Sequence, residues 1–294
     1  MTIRISHLFR YPIKSTAGSA VQQLELDALG AVDDRRWMLV DAHNKFMTQR
    51  DVGALALIHS HVEADGVRLE ANGKTALRVR APDAAAPSME VVVWDDVARV
   101  ADAGDEAAHW CSDVLGVPCR LTHIALSSRR PLQPKYAGPL DPENRYVALS
   151  DGAPLLLASE ASLALLNEHL IARQVTPVGF DRFRPNVVLS GASAHEEDTW
   201  RTIEIAGITI GVGSPCPRCV MTTVDQSRGV RASALTGEPG GEPLRTLATY
   251  RRQGTGVMFG MNATNETPGV LRVGDVVNVA ATRCQQSQGQ TRGY

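Results

Sequence analysis

The chain has 294 residues, 44% hydrophobic and 21% charged, a balance that belongs to a folded globular protein of one large or two ordinary domains. Thirty basic and 32 acidic residues leave a formal net charge of −2, and aromatics make up 5%, which argues against a nucleic-acid face or a base-stacking platform. No apolar run approaches the ~18 residues of a membrane span, and the start lacks the charged-then-apolar pattern of a secretory leader, so a cytoplasmic protein without a membrane anchor is expected.

Ile3, Ile5 and His7 alternate with Arg4 and Ser6, a strand pattern that stops at Tyr11-Pro12. Arg36–Asp41 and Met89–Trp94 read as further strands, with turns at Asp65-Gly66 and Asn72-Gly73, and this half predicts a small β-barrel or sandwich. Ala108, Cys111, Val114 and Leu115 then fall on one face of a helix over Asp105–Leu115, which Gly116 closes. Ser127–Arg145, rich in Pro, Arg and Gly, reads as an ordered connector. Ser159 caps a second helix with Leu163, Leu166 and Leu170 as its buried stripe. Strands return at Asn186–Leu189, as a hairpin over Thr202–Val212, at Val220–Val224, and around the Val273-Gly274-Asp275 turn. Arg283–Tyr294 reads as a flexible tail. The sum is an α+β, β-rich chain with helices packed on barrels. No Gly-x-Gly-x-x-Gly or Walker sequence is present.

Five cysteines (Cys111, Cys119, Cys216, Cys219 and Cys284) make an odd set in a long chain, so a disulfide scaffold is not expected. Pro215-Cys216-Pro217-Arg218-Cys219 admits four readings: a dithiol, half a zinc site, one thiolate on a soft metal with Arg218 favouring the charged sulfur, or a pair of buried thiols. The dithiol reading is weakened because strand-like residues, not a helix, follow Cys219. Lys14, Arg35, Arg50, Arg184 and Asn186 stand near strand ends, where buried cations need an anion or carboxylate partners such as Asp34 or Asp181. Taken together with one thiolate, these cations suit an anionic cofactor that carries a soft metal. Asp225 is placed to donate a proton near Cys219 or simply to end a strand. The eight histidines show no metal-binding spacing, and no serine-hydrolase elbow occurs.

Tyr11-Pro12-Ile13-Lys14-Ser15, Asp34-Arg35-Arg36-Trp37, Thr48-Gln49-Arg50, Phe183-Arg184-Pro185-Asn186 and Arg218-Cys219-Val220-Met221-Thr222-Thr223-Val224-Asp225 occur in this order. With Phe259-Gly260, Pro268-Gly269 and Val273-Gly274-Asp275 they resemble the MOSC-domain proteins with an N-terminal MOSC β-barrel, the group of the amidoxime-reducing components, from about Ile3 to about Ala280. The resemblance implies an N-terminal barrel domain over residues 1–120, a MOSC domain over 121–282 and a tail over 283–294. It implies a molybdenum cofactor (a pterin with dithiolene and phosphate), with Cys219 as metal ligand and Lys14, Arg35, Arg184 and Asn186 on its phosphate or pterin. Arg50, Ser159 and Arg218 are carried over with them, and Cys219 and Asp225 as the catalytic pair. The implied activity is reduction of N-hydroxylated compounds, amidoximes and hydroxylamines, with electrons from a separate ferredoxin, flavodoxin or cytochrome b5-like protein. A separate donor is expected because only Cys284 follows Cys219, too few thiols for a cluster-bearing ferredoxin domain. Because MOSC domains also end molybdenum cofactor sulfurases, the alternative is a sulfur carrier or cofactor-handling protein with a cysteine persulfide.

Overall fold

The computed structural model describes residues 2–83, 85–125, 127–231 and 241–283; Cys284 and the tail after it lie outside them. The strands of the N-terminal half are β1 (Arg4–Arg10), β2 (Ser19–Val21), β3 (Gln23–Asp27), β4 (Gly30–Ala31), β5 (Trp37–Val40), β6 (His59–Glu63), β7 (Gly66–Glu70), β8 (Leu77–Arg80), β9 (Ser88–Val93), β10 (Asp96–Asp102) and β11 (Arg120–Ile124). Those that follow are β12 (Arg130–Pro131), β13 (Tyr146–Val147), β14 (Leu155–Ser159), β15 (Val187–Ser190), β16 (Trp200–Ile205), β17 (Ile208–Arg218), β18 (Val224–Asp225), β19 (Val230–Arg231), β20 (Arg252–Gln253), β21 (Gly256–Asn265), β22 (Gly269–Arg272) and β23 (Val277–Thr282). The protein is α+β and rich in strands.

The main sheet runs β2-β1-β15-β14-β21-β17-β16-β23, with β20 off β21. It curls until β1 meets the chain just before β23: Ile5 N–H donates to Asp275 O (2.9 Å) and Val277 N–H to Ile3 O (2.9 Å). Leu8, Leu157, Leu189, Trp200, Ile203, Ile210 and Met261 fill the interior. Strand alternation sets these inward positions, as in β16, where Ile203 and Ile205 are buried around exposed Glu204, while register shifts between Trp200 and Ile203 let Trp200 be buried as well. The first strands therefore belong spatially to the C-terminal half, since β1 pairs with β15 and β3 with β22.

A second core forms under the sheet β5-β11-β10-β9 and the three-stranded β6-β7-β8. The helix Asp105–Leu115 buries Ala107, Ala108, Cys111 and Leu115 against it, and Gly116 ends the helix at φ 69°, a conformation glycine adopts without strain. Trp37, Leu39, Leu55, Leu69 and Leu121 complete this core. Burial pushes the thiols of Cys111 and Cys119 up, so both are packing residues. Ile13 bridges to Trp37, and Lys14 N–H donates to Trp37 O (2.8 Å). The segment after β1 thus passes from the closed barrel to the second core and leaves Lys14 on the seam.

Two sequence expectations change. Val220–Thr223 is a 3-10 turn, with strand pairing beginning only at Val224. The hydroxyls of Thr222 and Thr223 donate back to Cys219 O (3.0 Å) and Val220 O (2.7 Å), and this local bonding overrides the β propensity of the run. The connector Ser127–Arg145 contains β12 and a helical turn, Pro134–Ala137. It delivers Arg130, 2% exposed, to Asp96 (2.9 Å) and to the carbonyls of Ala148 (3.2 Å), Ser150 and Asp151 (2.9 Å). The helix Glu160–Ala172 starts at Ser159 and buries Leu166 and Leu170 as its pattern predicts.

Candidate functional site

Where the barrel meets the second core, a cleft of about 110 Å³ is lined by Lys14, Arg35, Asp151, Arg184, Cys216 and Arg218, among others. Each arrives from the end of a strand or the loop beside it. Pro12 and Pro185 remove backbone donors there, so the chain leaves the sheet and its cations turn inward.

Tyr11 is the centre of the cationic side. Its hydroxyl donates to Pro185 O (3.1 Å) and its backbone N–H to Asp34 Oδ1 (2.8 Å). The Arg35 and Arg184 guanidiniums lie 4.4 and 4.2 Å from its ring centroid, a geometry in which the π face offsets part of their mutual repulsion. Arg35 pairs with Asp34 and donates to Asn186 Oδ1 (3.0 Å) and Arg184 O (3.2 Å). Arg184 donates Nη1 to Thr16 O, while its Nη2 is buried with no partner. Burial first, and then Arg35, lower the Arg184 pKa to about 10. Ser15, Arg35 and Arg184 hold φ of 65°, 47° and 59°, left-handed conformations that side-chain-bearing residues adopt at a cost and that cluster at binding sites.

Lys14 forms the second group. Its ammonium, 4% exposed, donates to Leu149 O (2.8 Å) and pairs with Asp151. Burial lowers its pKa to about 8 against the opposing pull of Asp151. The Asp151 carboxyl is half exposed; partial desolvation tends to raise it, but Lys14, Arg50 and the Trp94 indole N–H (3.1 Å) together hold it below the usual carboxylate range. Arg50 stacks over Trp94 at 4.5 Å, reaches Asp151 at 3.5 Å and donates Nε to Cys219 Sγ at 3.2 Å. Cys219 therefore stands beside the cleft, tied to its wall through Arg50 and Asp151, while Cys216 lines it. Arg218 donates Nη1 to Cys216 Sγ (2.9 Å) and Nη2 to Phe183 O (2.7 Å), and its Nε is buried without a partner.

The structure thus brings together Lys14, Arg35, Arg50, Arg184, Asn186, Arg218 and Cys219. The Asn186 carboxamide is itself tied to backbone, accepting from Leu156 N (3.2 Å) and donating to Phe9 O (3.3 Å). Ser159 and Asp225 are not brought to the cleft. From Leu155, which lines it, to Ser159 the strand rises roughly 13 Å. Ser159 Oγ accepts from Ser162 N (3.2 Å) as the helix cap and donates to buried Glu197 (3.0 Å). Asp225 accepts from Ser227 N (2.9 Å), Ser227 Oγ (2.7 Å) and Arg228 N (3.1 Å), which fix its own turn. Ser227 heads the causes that hold its carboxyl low. Asp151, Trp94, Tyr11 and Arg130 are the residues sequence reasoning missed. The one signal was Ser150-Asp151-Gly152, a polar turn between two apolar runs.

The donor set fits an anionic group bearing a soft metal. Lys14, Arg35, Arg50, Arg184 and Arg218 share two carboxylates, Asp34 and Asp151, and two of the guanidiniums keep a buried nitrogen unbonded. A phosphate offers the acceptors those nitrogens lack, and a free cysteine sulfur stands beside them. Among the described residues no group of three or more His, Cys, Asp or Glu could hold a metal ion.

The family models for the MOSC N-terminal beta barrel domain and the MOSC domain match residues 2–118 and 144–278. The chain is 33% identical to mitochondrial amidoxime-reducing component 1 of Mus musculus over 93% of this chain and 81% of that protein. It is 31% identical to the Homo sapiens protein of the same name, over 93% of this chain and 82% of that one. A molybdenum cofactor sulfurase of Oryza sativa subsp. japonica is 30% identical over 88% of this chain and 32% of its own length. No helix among the described residues is long and apolar enough to cross a membrane.

Proposed function

We propose, from the premise that the chain belongs to the MOSC proteins with an N-terminal MOSC β-barrel domain, that its cleft holds a molybdenum cofactor and that the protein reduces N-hydroxylated compounds. When bound, such a cofactor supplies oxygen-atom removal: the N–O bond breaks, two electrons and two protons are consumed, and water leaves with the parent nitrogen base. The observation that carries the reading is the buried, unpartnered Arg184 Nη2 in a cation-rich cleft beside a free cysteine.

Each protein group has a distinct part. Arg35, Arg184 and Lys14 grip the phosphate and pterin, with Tyr11 holding the two guanidiniums at a fixed spacing. Cys219 is the metal ligand, and the Arg50 guanidinium sets the sulfur's orientation by its Nε hydrogen bond. Lys14 Nζ holds a proton at neutral pH with a pKa of about 8, and Asp151 stays ionised beside it. Electrons arrive from a redox protein of the ferredoxin, flavodoxin or cytochrome b5 type. The sulfurase resemblance and the place of Cys216 in the cleft wall favour a second reading, in which a cysteine persulfide passes sulfur onward.

Chemically reduced, cofactor-loaded protein is expected to convert benzamidoxime to benzamidine with one product per molybdenum in a single turnover. Absence of benzamidine, with labelled sulfane sulfur retained on Cys216 or Cys219, would replace the reductase reading by the sulfur-carrying one.

A further inference from the structure

Beginning at Val220, the residue after Cys219, the chain forms a groove of about 680 Å³ lined by Val220, Thr223, Arg231, Leu244, Arg245, Ala248, Arg252 and Val257, among others. Leu244, Ala248 and Val257 give it an apolar floor. Arg231, Arg245 and Arg252 are exposed on its rim, and among the described residues none has a carboxylate partner and no carboxylate lines the groove. Arg78, Arg80 and Arg99, exposed on the N-terminal half, each pair with Glu or Asp. In a chain of net charge −2, three arginines around one concavity with no carboxylate partner among the described residues make a local positive field.

The groove is joined to the thiol in two ways. Val220, 41% exposed, directly follows Cys219 and opens the 3-10 turn that forms one wall. Arg231 donates to Arg50 O, and Arg50 Nε bonds the Cys219 sulfur. Whatever sits in the groove therefore lies against the backbone that carries Cys219.

We infer that this groove docks the electron donor, a carrier protein whose redox centre is ringed by carboxylates. The inference rests on the reading that Cys219 holds a redox centre. The arginine rim steers an acidic partner and fixes its orientation, while the exposed Val220 and the apolar floor give the contact a dry centre. An acidic rim meeting Arg231, Arg245 and Arg252 brings the carrier's centre to the Cys219 side of the molecule, where two electrons are needed.

The test uses wild-type protein and the double variant Arg245→Glu/Arg252→Glu, both away from the cleft, with circular dichroism and molybdenum content as controls. Plant-type ferredoxin, flavodoxin and cytochrome b5 are titrated calorimetrically at low ionic strength. At least one is expected to bind, with affinity falling as salt is added and at least about tenfold lower in the double variant. Dithionite-driven single turnover of benzamidoxime is expected to be the same in both proteins, while carrier-driven turnover drops in the variant. Binding by none of the three, or equal binding by both proteins, overturns the inference. A double variant slowed only for substrates bearing a carboxylate or phosphate would make the groove a substrate subsite and overturn it too. Failure of dithionite-driven turnover in wild-type protein would instead count against the reductase reading, leaving the calorimetric comparison to judge the interface.

Discussion

Arg50 and Cys219, 169 residues apart in sequence, meet with the guanidinium Nε 3.2 Å from the sulfur. Through this contact the N-terminal half shapes the environment of a thiol that the C-terminal half supplies. Arg50 is itself held by the Trp94 face at 4.5 Å and by Asp151 at 3.5 Å. Arg50→Ala and Trp94→Ala are each expected to slow single-turnover reduction by about tenfold, a loss of ~1.4 kcal/mol. The double variant is expected to be little slower than Arg50→Ala, because Trp94 acts through Arg50. Additive losses would show that Trp94 acts elsewhere.

Lys14 makes anion binding depend on pH. Burial lowers its pKa to about 8, below the ~10.4 of an unfolded lysine. Below pH 8 the ammonium is charged in both states, and the folded protein carries the cost of burying it. That cost is relieved between about 8 and 10.4, so this group's contribution favours folding more as pH rises through the window. Its attraction for an anion changes in the opposite direction. Calorimetry with inorganic phosphate is expected to show affinity falling as pH passes 8 in wild-type protein and staying flat in Lys14→Arg, whose guanidinium remains charged. An unchanged profile in Lys14→Arg would detach the effect from this residue.

Arg184 poses a trade between stability and binding. Its guanidinium is buried beside Arg35 with one nitrogen unbonded. Removing such a charge relieves desolvation and repulsion in the empty protein. Arg184→Met is expected to raise the urea midpoint of cofactor-free protein while lowering the cofactor content of protein made in a competent host. A lower midpoint would show that its bond to Thr16 outweighs the burial cost.

Much of this arrangement is legible in the sequence. The cations flank proline-punctuated strand ends, and the helix at Glu160–Ala172 is announced by its serine cap and leucine spacing. What escaped was set by distant pairing or by local side-chain bonds. Asp151 looks like an ordinary turn residue until Lys14, 137 positions away, reaches it. Trp94 looks like the end of a strand until Arg50 stacks on it. Val220–Thr223 carries β-forming residues, yet two threonine hydroxyls bond backward and coil it. Nor does strand alternation reveal that β1 pairs with β15 across most of the chain, because each strand satisfies its pattern with any apolar neighbour.

Ser159 gives a contrasting case, a buried hydroxyl bonded to Ser162 and Glu197. It caps its helix and donates to Glu197, whose carboxyl burial pushes up. Ser159→Ala is expected to destabilise the protein by ~1–2 kcal/mol, read as a lower denaturant midpoint, with molybdenum content unchanged. Loss of molybdenum in a folded Ser159→Ala protein would return this residue to the cofactor.

The most direct test of the whole account is the molybdenum and pterin content of protein made in a cofactor-competent host, beside Cys219→Ser and Cys216→Ser. Near-stoichiometric molybdenum in the wild type, lost in Cys219→Ser and largely kept in Cys216→Ser, is the predicted result. Equal retention by both variants, or no molybdenum in any of the three, would contradict it.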